Sequence, residues 1–159
     1  MKGVVLAGGS GTRLKPLTRL VNKHLLPVWN RPMIDYPLEK LREAGVRDIL
    51  IVLGKQSAGL YLDYLGNGGD RGLNLTYKIQ EQAGGIAQAL ALAEDFIAPQ
   101  EKFVVLLGDN LFEDPLQPFL REFQQQPSGA KVLLKEVEDP RRYGVPVLEG
   151  DRIVAIEEK

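Results

Sequence analysis

The sequence predicts an α/β fold: an open, mainly parallel, Rossmann-like sheet with helices on both faces and a β-hairpin at the C-terminal end. Three observations predict it. Short apolar runs rich in Val, Ile and Leu recur along the chain, amphipathic segments separate most of them, and the first run empties into the glycine loop "GGSGTR". Short buried strands that alternate with helices favour parallel pairing through crossovers, which covers a sheet on both faces.

Strands are expected at Gly3–Ala7, Asp48–Leu53, Leu73–Ile79, Phe103–Leu107 and Ala130–Val137. Met33–Ala44 places Ile34, Leu38 and Leu41 on one side, with Pro37 in its first turn, where proline is tolerated, and Gly45 as its stop. Ile86–Phe96 gathers Ile86, Leu90 and Ala93 in the same way, and Leu116–Gln125 and Gln56–Leu65 supply two more helices. The tail "YGVPVLEGDRIVAIEEK" reads as a hairpin turning at Glu149-Gly150-Asp151, and Pro146 makes its first strand an edge or a bulged one. Trp29 reads as a core or interface residue.

At 159 residues the chain is about one domain long. Twenty basic residues against twenty-one acidic ones leave a net charge of −1, so no general attraction to nucleic acid or membrane follows. An anionic ligand must be held by local charge. With no cysteine and a single histidine, His24, disulfides, thiolate catalysis and Cys- or His-rich metal sites are excluded. The apolar run in "MKGVVLAGG" is too short for a signal-peptide core or a membrane span, so a cytoplasmic, reduced setting is expected.

Ligands of open α/β sheets collect at the carboxyl ends of the strands, and "AGGSGTR" stands at such an end, before an expected helix. Glycines let backbone N–H groups face a phosphate, a helix N-terminus adds partial positive charge, and Arg13 adds a forked, permanent cation. The dinucleotide fingerprint fails because Leu14 stands where its third glycine belongs, and the P-loop fails because Gly54-Lys55 is followed by Gln56. A flexible turn with a solvent-facing arginine is the plain alternative.

Leu6-Ala7-Gly8-Gly9-Ser10-Gly11-Thr12-Arg13-Leu14 resembles the signature loop of the sugar-phosphate nucleotidyltransferases. "NKHLLPVWNRPMIDYPLEKLREAGVRDILIV", "GGIAQALALAEDFI", "LLGDNLF", "DPRRYGV" and "IEEK" follow in the family's order. The resemblance covers essentially the whole chain and is strongest to the glucose-1-phosphate thymidylyltransferase branch. It implies that residues 1–159 are the nucleotide-binding portion of a nucleotidyltransferase domain, truncated at its C-terminal end.

The resemblance also implies roles. Leu6, Gly8, Gly9, Ser10, Gly11, Thr12, Arg13, Gln80, Gly85 and Asp109 would bind the nucleotide, with Arg13, Lys23 and Lys159 as catalytic cations. Gly144, Glu158 and Lys159 would hold the sugar phosphate, and Asp109 would be a ligand of Mg²⁺, which takes one or two carboxylates plus substrate phosphates. Gln80 ends the third expected strand, and its amide carries a donor and an acceptor, which suits a base edge with one N–H and one carbonyl, as in thymine and uracil. Gly84 departs from the family pattern, which carries Asp there. Taken alone, these residues have ordinary readings: Lys23 a snorkelling lysine, Gln80 a surface glutamine, Gly-Asp-Asn a common turn, and Glu-Glu-Lys a charged tail.

The expected reaction transfers a nucleoside monophosphate from dTTP to glucose 1-phosphate, giving dTDP-glucose and pyrophosphate. UTP or another sugar 1-phosphate is an open alternative, and so is a catalytically silent nucleotide-binding fragment. An NAD-dependent redox enzyme is disfavoured by Leu14. Family resemblance allows a homo-oligomer, and no nucleic-acid or membrane partner is expected.

Overall fold

The computed structural model of the chain describes residues 1–9, 11–82 and 84–157. In chain order the strands are β1 (Lys2–Ala7), β2 (Pro27–Val28), β3 (Arg31–Pro32), β4 (Asp48–Gly54), β5 (Asn74–Gln80), β6 (Phe103–Leu107), β7 (Val145–Glu149) and β8 (Arg152–Glu157). The α-helices are α1 (Asp35–Glu43), α2 (Ala58–Leu65), α3 (Gly85–Ala91) and α4 (Gln117–Gln125). These elements fall into two compact units, Met1–Pro127 and Ser128–Lys159.

The first unit holds a four-stranded sheet in the order β5-β4-β1-β6. Each neighbouring pair is parallel, with Val5 of β1 opposite Ile51 of β4 and Leu106 of β6. Strand periodicity sorts the apolar side chains onto two faces. Val5, Ala7, Ile49, Ile51 and Leu53 meet Ile34, Leu38 and Leu41 from the α1 region, Tyr61 and Leu65 of α2, and Leu116 and Leu120 from the α4 region. Val4, Leu6, Leu50 and Val52 meet Ala89 of α3 and Ala93, Phe96 and Ile97 beyond it. Helical cover on both faces is therefore as the sequence predicts.

Ile49, Leu50, Ile51, Val52 and Leu53 are each 0% exposed. At roughly 1.5–3 kcal/mol per fully buried aliphatic side chain, that run can only be a central strand.

Helix ends follow their local chemistry. Pro37 lies in the first turn of α1, and at its far end Gly45 and Val46 donate to the carbonyls of Arg42 and Leu41, the paired bonds of a Schellman cap. The helix expected over Ile86–Phe96 is shorter: α3 stops at Ala91, and turns carry the chain on to Ile97.

In the second unit, β7 and β8 pair antiparallel from Val145 opposite Glu157 to Glu149 opposite Arg152. The register slips between Val147 and Leu148, next to Pro146, so the expected bulge is present. The strand expected at Ala130–Val137 is not. Its Val132, Leu133 and Leu134 are exposed, and no described strand pairs with the segment. Apolar patterning alone does not supply the neighbouring row of N–H and C=O groups that a strand needs. Trp29 is not core either: it is 91% exposed, at the turn between β2 and β3. Among the described residues, no helix is long and apolar enough to cross a membrane.

Candidate functional site

Counted along the chain, the sheet runs third, second, first, fourth, so the direction of winding reverses between β1 and β6. In open α/β sheets such a reversal leaves a crevice beyond the carboxyl ends of the two strands. A cleft of about 310 Å³ lies there. One wall comes from β1 and the loop after it (Leu6, Gly8, Gly9), another from the end of β6 (Leu107, Asp109). Gln80 at the end of β5, Gly85, Ile86 and Ala89 of α3, and Lys23 and His24 complete it.

Asp109 is placed by a short turn. Gly108 N–H donates to the Leu6 carbonyl at 2.9 Å, which prolongs the pairing of β6 with β1. Asn110 then accepts from Leu107 N–H through Oδ1 at 2.9 Å and donates its own N–H to the Leu107 carbonyl at 3.0 Å. The carboxylate that emerges meets Lys23, with Nζ 2.5 Å from Oδ2. Burial alone would push the Asp109 carboxyl up; the Lys23 hydrogen bond and charge outweigh it and hold it below its ordinary value. Asp109 is thus an ionised carboxylate facing the cleft, with a cation on it.

The glycine loop is held from beneath. Asn22 caps the 3-10 turn Lys23–Leu25, its Oδ1 accepting from His24 N–H at 3.1 Å, lying 2.7 Å from His24 Nδ1 and accepting from Tyr61 O–H at 3.1 Å. Its Nδ2 donates to the carbonyls of Gly9 at 3.0 Å and Ala7 at 3.4 Å. An oxygen that only accepts requires the proton on His24 Nδ1. Burial, then the adjacent Lys23 charge, lowers the His24 pKa to about 4, against the opposing pull of Asp109.

Neutral His24 makes stability pH-dependent. An unfolded histidine takes up its proton near pH 6.5, while the folded one resists down to about pH 4. The stabilising contribution is present above pH 6.5 and is lost as pH falls through that window, up to ~3 kcal/mol in total. Denaturant melts at pH 7 and pH 5 are expected to show the loss in the native chain and a much smaller one in His24→Gln. Equal losses in both would refute the assignment.

Two loop glycines make room for the protein itself. A Cβ on Gly8 would stand 2.5 Å from Gln80 Oε1, and one on Gly11, whose φ is +60°, would stand 3.0 Å from Thr18 Cγ2 and 3.1 Å from Lys23 Cβ. Gly9 lines the cleft, and a Cβ there would meet nothing nearer than Lys23 Cε at 3.9 Å. The helix expected after the loop is absent: two 3-10 turns, Thr12–Leu14 and Leu17–Arg19, take its place. Pro16 has no N–H with which to carry the turn on into a helix, and Lys15 before it is extended (ψ 141°). No helix dipole therefore acts at the loop, and any phosphate there depends on N–H groups and side-chain charge.

Of the residues read from the sequence, the structure brings Leu6, Gly8, Gly9, Lys23, Gln80, Gly85 and Asp109 to one cleft. Gly11, Thr12 and Arg13 do not line it; Arg13 is exposed and bonds to none of the described residues. Gly144 belongs to the second unit, just before β7. Ser10, Glu158 and Lys159 lie outside the described residues. Sequence reasoning missed Asn22 and Tyr61, and it used His24 only to exclude metal sites. The available signal was Asn-x-His, an Asx cap ahead of a short turn.

Gln80 is 7% exposed and bonded on one side only. Its Nε2 donates to Gln88 Oε1 at 2.8 Å and to the Gly85 carbonyl at 3.3 Å. Its Oε1 accepts from none of the described residues.

The nucleotidyl transferase family model matches residues 2–159. The chain belongs to the nucleotidyl transferase family. Among its relatives, the glucose-1-phosphate thymidylyltransferase of Neisseria meningitidis is 44% identical over 163 residues, which cover 100% of this chain and 56% of that protein. A Bacillus anthracis protein described as a glucose-1-phosphate thymidylyltransferase, solved with sucrose, matches with a TM-score of 0.95 and 49% identity over 99% of this chain and 64% of its own. A UDP-glucose pyrophosphorylase solved with UDP-glucose matches with a TM-score of 0.66 and 28% identity over 78% of this chain and 53% of its own. This nucleotidyltransferase-family chain thus spans about half the length of the curated relatives it matches.

Proposed function

We propose that this chain is the nucleotide-binding portion of a sugar-1-phosphate nucleotidyltransferase that uses dTTP and glucose 1-phosphate. The observation that carries the proposal is the joining of Lys23, Asp109 and Gln80 in one cleft at the β1–β6 reversal. In this reading a phosphate oxygen of the sugar phosphate attacks the α-phosphorus of the triphosphate, and pyrophosphate leaves. A phosphate monoester is already anionic near neutral pH, so the site needs no strong base. His24, held neutral and engaged by Asn22, is not called on to act as one.

Lys23 Nζ stands at the cleft with Asp109 as its partner; an entering phosphate takes the place of that carboxylate and receives the charge as it grows in the transition state. Asp109 would hold Mg²⁺. Its single ionised carboxylate fits that ion, which completes its shell from substrate phosphates and water, and no cluster of three or more acidic or histidine side chains occurs among the described residues. Bound Mg²⁺ would neutralise triphosphate charge. Gln80 Oε1 would accept from a base N–H, with Gly85 beside the base, and Leu6, Gly8, Gly9, Ser10, Gly11, Thr12 and Arg13 would line the triphosphate path. Gly144, Glu158 and Lys159 are assigned to the sugar phosphate, with Lys159 steering the attacking oxygen. UTP is a second reading because uracil presents the same N–H, and the UDP-glucose pyrophosphorylase relative was solved with a uridine nucleotide.

A ligand that binds only the folded state raises its stability by mass action, by about 2.7 kcal/mol at a hundred times Kd. Titration with dTTP, UTP, CTP, ATP, GTP and NAD in Mg²⁺ is expected to raise the melting temperature most with dTTP, less with UTP and not with NAD. A cooperatively melting protein that responds to none of them would overturn the proposal.

A further inference from the structure

We propose that Gln88, on α3, sets the base preference of the cleft by fixing which end of the Gln80 carboxamide faces it. The inference rests on the nucleotide-binding reading and adds a positioning residue to it.

A carboxamide can be turned over without changing its shape, so its orientation must be decided by a neighbour of known polarity. Here that neighbour is a backbone group. The Gly84 N–H can only donate, and it reaches the Gln88 side chain at 2.8 Å, so the Gln88 atom there is oxygen. The same oxygen lies 2.8 Å from the Gln80 carboxamide, and an acceptor requires a donor opposite, so Gln80 turns Nε2 towards α3. The other Nε2 hydrogen goes to the Gly85 carbonyl at 3.3 Å.

Both donors of Gln80 are therefore spent, and its Oε1 is turned towards Gly8, 2.5 Å from where a Cβ there would stand. At 7% exposure, water has little access to repair a wrong orientation. What Gln80 offers a ligand is an acceptor. A thymine or uracil ring N–H donates to it, while cytosine would bring a ring-nitrogen lone pair against it. Rejection comes from that repulsion as much as preference comes from the bond. Gln88 is exposed and does not line the cleft, so it acts through Gln80.

The test is the ratio of dCTP to dTTP dissociation constants at fixed Mg²⁺, with far-UV circular dichroism confirming the fold. Gln88→Leu removes the nearer of the two acceptors that hold Nε2 and leaves only the 3.3 Å bond to the Gly85 carbonyl to fix the carboxamide. It is expected to lower the ratio by several-fold, up to the roughly tenfold worth of one hydrogen bond. Gln88→Glu keeps an oxygen that accepts both bonds and is expected to retain the ratio. Gln88→Lys offers only donors, turns Gln80 Oε1 towards α3 and Nε2 towards the cleft, and is expected to move the preference towards dCTP. A folded Gln88→Leu in which both nucleotides weaken together would show a structural role only and overturn the inference. So would a native protein that binds both equally; one that binds no nucleotide would overturn the proposed function as well.

Discussion

Replacing Asn22 by alanine is expected to cost roughly 3–5 kcal/mol of folding stability, because it strips several buried partners at once. Asn22 is 9% exposed, and its side chain serves the His24 backbone and ring, the Tyr61 hydroxyl and the carbonyls of Ala7 and Gly9. A buried donor or acceptor left unpaired costs ~1–3 kcal/mol. One repair limits the loss: Tyr61 O–H already lies 3.3 Å from His24 Nδ1 and can donate to it once the imidazole changes tautomer. The loop carbonyls have no such substitute. Asn22→Asp keeps the accepting oxygen but turns a second carboxylate oxygen on the carbonyls of Ala7 and Gly9, and is not expected to restore native stability. Denaturant unfolding would show a lower midpoint at unchanged slope. A loss below ~1 kcal/mol for the alanine variant would mean that the loop is held from elsewhere.

That network also marks where sequence reading stops. β1, β4 and β6 were legible because a buried parallel strand is apolar along its whole length, whichever face each residue takes. Gln80 and Asp109 were named through the family resemblance, since taken alone each has an ordinary reading. Their places at or just past a strand's carboxyl end agree with where this fold class puts ligands, and both line the cleft. Tyr61 is 39 residues from Asn22, and only the packing of α2 under the loop brings them together. The same limit explains Ala130–Val137, where pattern reported a strand but could not report a partner, and Lys23, whose ion pair with Asp109 spans 86 residues. At Pro16 the sequence did hold the answer: a proline two residues after Leu14 rules out the helix that a phosphate loop ordinarily opens.

Under the proposed function, Lys23→Met is expected to lower nucleotidyl transfer by ~10²–10³-fold while leaving stability within ~1 kcal/mol of native. The asymmetry follows from exposure. The side chains of Lys23 and Asp109 are 25% and 33% accessible, so water screens their pairing and the folded state gains little from it. In the proposed substrate complex a bound phosphate would displace water from the same ammonium, and there one charge counts for more. Lys23→Arg is not expected to rescue turnover, because a planar, longer fork does not reproduce the compact ammonium that meets Asp109 Oδ2. The double variant Lys23→Met/Asp109→Asn separates the two roles. If lysine serves only to neutralise the carboxylate, removing both charges should return turnover towards native. If each faces substrate on its own account, the double variant should be at least as slow as either single one, although its fold is no less stable. Recovery of turnover in the double variant would remove Lys23 from the reacting centre and reduce the pair to a surface ion bridge.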